Sequence, residues 1–169
     1  MLGGYAGTPV RAIAKAAGVD VAMVYYFFGD KDGLFRAAAS GEHPLAELPA
    51  LLTDGTADVG HRLVRSCLAR WDAGDMEPFL AMWTSAVGHD KARDALVEVV
   101  LRPLVADVVE RLDVPDAAAR VELVASHLAG LAVARYRLRI EPLASADPEL
   151  LVDLVGPAVQ QYLTAGTSG

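Results

Sequence analysis

Within the stretch Thr8–Phe35, TPVRAIAKAAGVDVAMVYYFFGDKDGLF, an arginine, two adjacent tyrosines and a lysine accompany two short helical patterns. Arg11 stands on the outer face of the first pattern, where a guanidinium can reach a phosphate or the edge of a guanine. The hydroxyls of Tyr25 and Tyr26 and the ammonium of Lys31 suit phosphate oxygens, contacts that position a protein on a duplex without specifying sequence. Asp20, Val21, Ala22 and Met23 open the second pattern, and the N-terminal residues of such a helix would enter a major groove. Two adjacent tyrosines beside a lysine have no core role. Catalytic patterns are missing: there is no H-E-x-x-H, no C-x-x-C, no G-x-G-x-x-G after a strand and no P-loop. The chain is therefore not expected to be an enzyme, and no metal or cofactor is expected.

Three elements must hold these groups. Pro9 suits a first helical position, with Thr8 as its cap. Val10, Ile13, Ala14 and Ala17 then share one face. Gly18 ends that helix by taking positive φ. Asp20 caps the next, which has Val24 and Phe28 as its buried edge. Gly29 and Asp30 turn the chain into a third helix, with Leu34, Phe35 and Ala38 inward. Ala14 is small where the second helix crosses, Gly18 turns and Val24 anchors, which is the arrangement of a helix-turn-helix.

The segment GYAGTPVRAIAKAAGVDVAMVYYFFGDKDGLF resembles the DNA-binding domain of TetR-family transcriptional regulators. Its GT-x-VR-x-IA-x-x-AGV, VYYFF and G-x-K-x-x-LF segments stand in order and at family spacing. The C-terminal run LVASHLAGLAVARYRLRIEPLASADPELLVDLVGPAVQQYL is similar to one subgroup of TetR ligand-binding domains. The resemblance implies a two-domain, all-α homodimer whose head binds double-stranded operator DNA and whose body binds a small-molecule effector. It implies base-facing roles for Arg11, Val21, Ala22 and Met23, and phosphate contacts for Thr8, Tyr25, Tyr26 and Lys31. Phe27 stands where the family often has histidine, a change expected to affect packing more than recognition. The family also has an amphipathic helix before GYAGT, and only Met1–Gly4 stand there in this sequence. Without that cover Ile13, Val24 and Phe28 are expected to lose apolar burial, at about 25 cal/mol per Å².

After a loose stretch over Gly41–Asp58 the helical patterns lengthen. They run Val59–Ala73, Glu77–Val87, Asp90–Leu112 with a kink at Pro103, Asp116 to about Ile140, and Leu150–Leu163 with a bend near Gly156 and Pro157. Asp90 is the expected cap of the third of these, and Asp147 caps the last. Trp71, Met76, Phe79, Met82 and Trp83 gather around one turn, while His61, Cys67, His127, Arg135 and Tyr136 add polar groups on apolar faces. An apolar cavity with a few polar handles is how small molecules are held, and His61, Cys67, Trp71, Phe79, Met82, Trp83, His127 and Arg135 form the expected effector pocket. In the last two helices Ala125 and Ala129 permit close approach, and Leu150, Leu154, Ala158 and Tyr162 form a broad apolar face. More apolar face than one body needs implies a partner. By resemblance these helices form a four-helix dimer interface.

Composition sets the outer limits. The 169 residues carry 15 basic and 22 acidic side chains, so bulk charge argues against nonspecific polyanion binding. Residues 1–43 balance Arg11, Lys15, Lys31 and Arg36 against Asp20, Asp30, Asp32 and Glu42, which leaves the head neutral. Cys67 is the single cysteine, so no intrachain disulfide can form and a reducing, cytoplasmic compartment is expected. The N-terminus lacks the features of a signal peptide. The apolar run Leu123–Val133 is too short and too polar to cross a bilayer, and no membrane partner is expected.

The expectation is therefore an all-α chain. Residues 1–43 form a helix-turn-helix DNA-binding domain without its first helix, and residues 44–169 form a helical-bundle effector-binding and dimerisation domain. Together they make a ligand-responsive regulator, a repressor released from its operator by effector. The alternative is a dimeric helical ligand-binding or interaction module whose truncated head does not read DNA.

Overall fold

The computed structural model describes residues 8–39, 47–74 and 76–164, and every regular element among them is helical. In chain order these are α1 (Val10–Ala17), α2 (Val21–Phe28), α3 (Lys31–Ala39), α4 (Leu48–Thr53), α5 (Val59–Asp72), α6 (Met76–Gly88), α7 (Asp90–Ala95), α8 (Arg102–Val109), α9 (Ala117–Ala132) and α10 (Pro148–Thr164). Widened π-helical turns, Leu96–Leu101 and Val133–Arg137, continue α7 and α9. The chain divides into two compact units. One comprises Met1–Glu42 with Glu77–Arg102, the other His43–Met76 with Pro103–Gly169. The first boundary lies beside the expected one, but the segment Glu77–Arg102 groups with the head rather than the body. Ala92 and Leu96 are buried in this unit, and the Lys91 ammonium stands 2.9 Å from the Asp32 carboxylate of α3.

In the first unit α1 and α2 meet around Gly18. Its φ of 68° is left-handed, and its N–H bonds back to the carbonyls of Ala14 and Lys15. Only glycine takes that conformation without strain. Asp20 Oδ1 accepts from the Ala22 N–H at 2.7 Å and caps α2, and Asp30 Oδ1 accepts from the Gly33 N–H at 2.7 Å and caps α3. Two expected caps are not formed. Pro9, not Thr8, precedes α1, and His89, not Asp90, precedes α7; neither caps its helix through a side chain. The core is Val10, Ala14 and Val24, with Val21 and Leu34 packed against it. Val24 thus keeps its cover, Ile13 is half-buried, and Ala17, Phe28 and Ala38 are exposed rather than inward. Helices of eight residues offer barely two turns, so each buries a single edge.

In the second unit α5 packs along α10, with α9 beside them. Leu63, Val64, Cys67, Leu68 and Trp71 of α5 are buried, as are Val121, Val124, Leu128 and Ala132 of α9 and Val152, Val159 and Leu163 of α10. The α5–α10 crossing is built on glycines. A Cβ on Gly60 would collide with the Gln160 amide nitrogen and the Gly156 carbonyl oxygen. Gln160 Oε1 accepts from the Gly60 N–H at 2.8 Å, and its Nε2 donates to the Thr56 carbonyl at 2.8 Å. That bond serves one of the four N–H groups a helix start leaves unpaired.

Prolines behave in two ways. Pro103 follows the π-turn Leu96–Leu101, consistent with a ring that removes a donor and crowds the preceding turn. Pro157 lies inside the uninterrupted α10, so the expected bend there is not a break. It is exposed, and so is Asp153, whose carbonyl loses its partner to water rather than to the core. Asp147 caps α10 as expected, accepting from the Glu149 N–H at 2.9 Å. The span Ala117–Arg137 is 21 residues long, longer than the run expected from sequence, and by length and composition alone could cross a membrane. Its apolar side is buried in the unit, as in the core helix of a globular body.

Candidate nucleic-acid interface and ligand site

The exposed side of α2 is the candidate nucleic-acid surface. Val24 is its single buried residue, which turns the other side chains outward. Ala22 and Met23 are exposed at its start, and Tyr26 and Phe27, 83% and 67% exposed, continue the same face one turn later. Tyr25 is also exposed, while Val21 is half-buried against the core. Arg11 is exposed on α1; Thr8 and Lys31 are half-buried. The elements therefore bring Arg11, Ala22, Met23, Tyr25 and Tyr26 to the surface of one helix pair.

Phe27 is exposed and not part of the core. Its ring meets Tyr26 edge-on at 5.1 Å between centroids and is otherwise free to touch a partner. Its position four residues after Met23 is the signal that it shares Met23's face. Electrostatics on this surface are sparse. Asp20 and Asp30 are engaged at helix starts, and among the described residues Arg11 has no ion-pair partner.

The eight residues of the expected effector pocket are divided between the two units. Trp83, Phe79 and Met82 belong to the first unit; Trp83 is half-buried, and the side chains of Phe79 and Met82 lie outside the described residues. His61, Cys67, Trp71, His127 and Arg135 belong to the second. His61 and Trp71 lie at opposite ends of α5, about 15 Å apart at the helical rise, too far to line one small site. His61 has Nδ1 2.7 Å from Asp58 Oδ1 and its ring against Gly156, where a Cβ would stand 2.6 Å from it. His127 faces the Tyr162 ring at 6.1 Å. Both histidines are packing residues of the α5, α9 and α10 core.

Cys67 is wholly buried, and burial, with the Glu47 carboxylate adding to it, pushes the thiol up to about 12. Glu47 itself is held below the usual carboxylate range, first by the Ser66 hydroxyl and then by Arg70 at 2.9 Å, outweighing partial burial. The thiol is therefore protonated and shielded at neutral pH, and only thiolate reacts. Native protein is expected to resist iodoacetamide at pH 8, and denatured protein to react with one equivalent per chain. Because the folded value is raised, this group's contribution to stability is present below the ordinary thiol range and lost as pH climbs towards 12. Stoichiometric labelling of the native chain would contradict this.

Within the second unit the structure brings together Trp71, Arg135 and Tyr136, named from sequence, and Asp72, which was not: Trp71 and Asp72 stand at the end of α5, and Arg135 and Tyr136 on the second π-turn. The Trp71 and Tyr136 rings meet edge-on at 6.0 Å. Tyr136 Oη donates to Asp72 Oδ1 at 2.7 Å. Burial, and then that hydrogen bond, push the tyrosine up to about 12, so it stays a donor. The Arg135 Cζ lies 5.4 Å from the Tyr136 ring centre. Asp72 was missed because it is brought to Tyr136 by a contact 64 positions apart in the chain.

On the expected dimer face, Ala125 and Ala129 are buried inside the unit, Ala158 and Tyr162 are half-buried, and Leu150 and Leu154 are exposed, Leu154 at 66%. Leu123 is exposed on α9, with Ala119, Ser126 and Gly130 on the same outer side. Among the described residues, the exposed large apolar side chains of α9 and α10 are Leu123, Leu150 and Leu154.

Residues 1–38 match the profile described as bacterial regulatory proteins, tetR family, and residues 57–163 match that of the tetracyclin repressor-like, C-terminal domain. Two curated relatives, each the HTH-type transcriptional regulator BetI from a strain of Burkholderia ambifaria, are 32% identical over 110 residues, covering 60% of this chain and 55% of theirs. The chain thus spans about half the length of the curated relatives it matches. A crystal structure of a TetR-family regulator from Streptomyces coelicolor A3 is similar with a TM-score of 0.63 and 31% identity, over 94% of this chain and 84% of that one. The motif order of the head, the all-helical body and these matches agree, and the chain belongs to the TetR family of bacterial regulatory proteins.

Proposed function

We propose that this protein is a ligand-responsive transcriptional regulator that binds operator DNA as a homodimer and, as a repressor, is released by a small effector. The observation that carries the reading is α2, capped by Asp20, anchored by Val24 alone and presenting Ala22, Met23, Tyr25 and Tyr26 to solvent beside Arg11. Apolar and aromatic side chains exposed in a row on so short a helix serve a partner surface. Two such helices, one per protomer, fit successive major grooves of a near-palindromic site. Dimerisation through Leu123, Leu150 and Leu154 would cover the free apolar face of α9 and α10. Effector acts by preferring the conformer that fits DNA poorly, a coupling of about 1–3 kcal/mol. A cytoplasmic location follows from that role.

The test is an electrophoretic shift with the protein on its own upstream intergenic DNA. Salt-sensitive retardation is expected; its absence on every promoter fragment would favour a helical ligand-binding module that does not read DNA. Two variants then separate roles. Lys31→Ala is expected to weaken binding to all sequences alike and to reduce the slope of log affinity against log salt by about one. Met23→Ala is expected to change which sequence is preferred with little change in that slope. An unchanged slope in Lys31→Ala would remove the phosphate role.

A further inference from the structure

Arg135 is an unusual side chain for this body: a guanidinium only 8% exposed, with no carboxylate in hydrogen-bonding contact. Its Nη1 donates to the carbonyls of Leu143 at 2.9 Å and Ala146 at 2.8 Å, which uses both hydrogens on that nitrogen and fixes the plane of the group. The opposite edge, Nε and Nη2, is the one that presents two parallel N–H bonds to a carboxylate. On that edge Nε has no partner among the described residues, while the guanidinium lies beside the Tyr136 hydroxyl and Nη2 stands 3.9 Å from Asp72 Oδ1, an ion pair too long for a hydrogen bond. That oxygen already accepts the Tyr136 hydroxyl.

A second orphan donor lies beside it. Trp71 is 3% exposed, and its Nε1 has no acceptor among the described residues. Both groups flank the Tyr136 ring, so two buried, unpartnered N–H donors share one cluster. Buried donors are nearly always paired, and a buried cation without a close counter-charge is costly. The cluster also sits on a π-helical turn, a feature frequent at functional sites.

We infer that this cluster is the effector site and that its ligand is a small aromatic or apolar carboxylic acid, whose carboxylate takes the Nε–Nη2 edge of Arg135 and the Trp71 N–H while its body lies against the Trp71 and Tyr136 rings. This rests on the regulatory reading for the word effector, not for the binding itself. The carboxylate supplies the missing acceptors and a closer negative charge than Asp72, whose oxygen is shared with Tyr136. A neutral amide of the same shape offers one carbonyl and brings two further donors into a site already rich in them. Tyr136, held protonated by burial and by Asp72, keeps Asp72 turned towards it and away from that edge.

The experiment is calorimetric titration and thermal shift of the full chain with benzoate and phenylacetate against benzamide and phenylacetamide, at matched ionic strength. The acids are expected to bind and raise the melting temperature, and the amides to bind at least tenfold more weakly, about the value of a lost charge-assisted bond. Trp71→Phe keeps the ring packing and deletes one N–H. It is expected to weaken the acids about tenfold while leaving the weak amide binding unchanged. Arg135→Lys retains charge but not the two-pronged edge, and is expected to remove the preference for acids. Equal binding of acid and amide, an unaltered affinity in Trp71→Phe, or no binding by any of the four at millimolar concentration would overturn the inference. If a variant does not fold, the acid-to-amide ratio on the native chain still decides it. DNA retardation without any ligand is scored separately: retardation with no acid binding overturns this site but not the regulator, and acid binding with no retardation does the reverse.

Discussion

Gly60→Ala is expected to lower the melting temperature by about 6–12 °C, corresponding to about 3 kcal/mol at a size where each kcal/mol shifts the midpoint by about 2–4 °C. The added methyl group would meet backbone, the Gln160 nitrogen and the Gly156 carbonyl, so no rotamer change can make room. The helices must separate, and the buried residues that α5 and α10 give the second unit's core, Leu63, Val64, Leu68, Val152, Val159 and Leu163 among them, would loosen together. The Gln160 bridge to Gly60 and Thr56 would stretch as well. Gly156→Ala is the internal comparison. There the new Cβ meets the His61 ring, a side chain that can swing outward, so the expected loss is about 1 kcal/mol. Differential scanning calorimetry of the two variants checks both the size and the order. If Gly60→Ala melts within about 2 °C of the parent, the close crossing is not as described.

Val24→Asp is expected to abolish DNA retardation altogether. Among the described residues the core cluster around α1 and α2 contains three buried side chains, Val10, Ala14 and Val24, so each carries a large share of its stability. An aspartate at Val24 would face Val10, Ala14, Val21 and Leu34, with no cation among them, at a cost of at least about 3 kcal/mol. So small a core has little to spare, and α2 would lose the one edge that orients its exposed face. The measurement is an electrophoretic shift, with helix content followed by circular dichroism. Retardation at the parent's affinity would show that Val24 does not anchor the reading helix. The variant differs in kind from Met23→Ala, which leaves the core intact and alters only what is read.

Much of the head was legible because its determinants are local. Gly18 needs positive φ, Asp20 and Asp30 need only the N–H two or three residues on, and Val24 needs a small Ala14 opposite it. These relations span a few residues, and residue type alone announces them. Thr8 and Asp90 look like equally good caps, and neither caps, because the helix starts shifted by one residue to follow Pro9 and His89. Phe28 and Ala17 look buried by spacing, yet burial depends on which neighbour covers a face, and spacing does not contain that.

The ligand cluster shows the limit most sharply. Trp71 and Arg135 were recognisable as polar handles, but so were His61, Cys67 and His127, and nothing local separates them. The helical rise puts His61 at the far end of α5, packing assigns His127 to Tyr162, and burial silences Cys67. What distinguishes Arg135 is an edge left without an acceptor, and that depends on where Leu143, Ala146 and Asp72 come to rest. The sequence by itself determined the all-helical class, the helix-turn-helix and the family, because periodicity, turn chemistry and short motifs are properties of neighbouring residues. Only the tertiary structure decided which apolar face is free, where Gly60 admits α10 and which buried donors lack partners, because burial and hydrogen-bond satisfaction are settled between residues far apart in the chain.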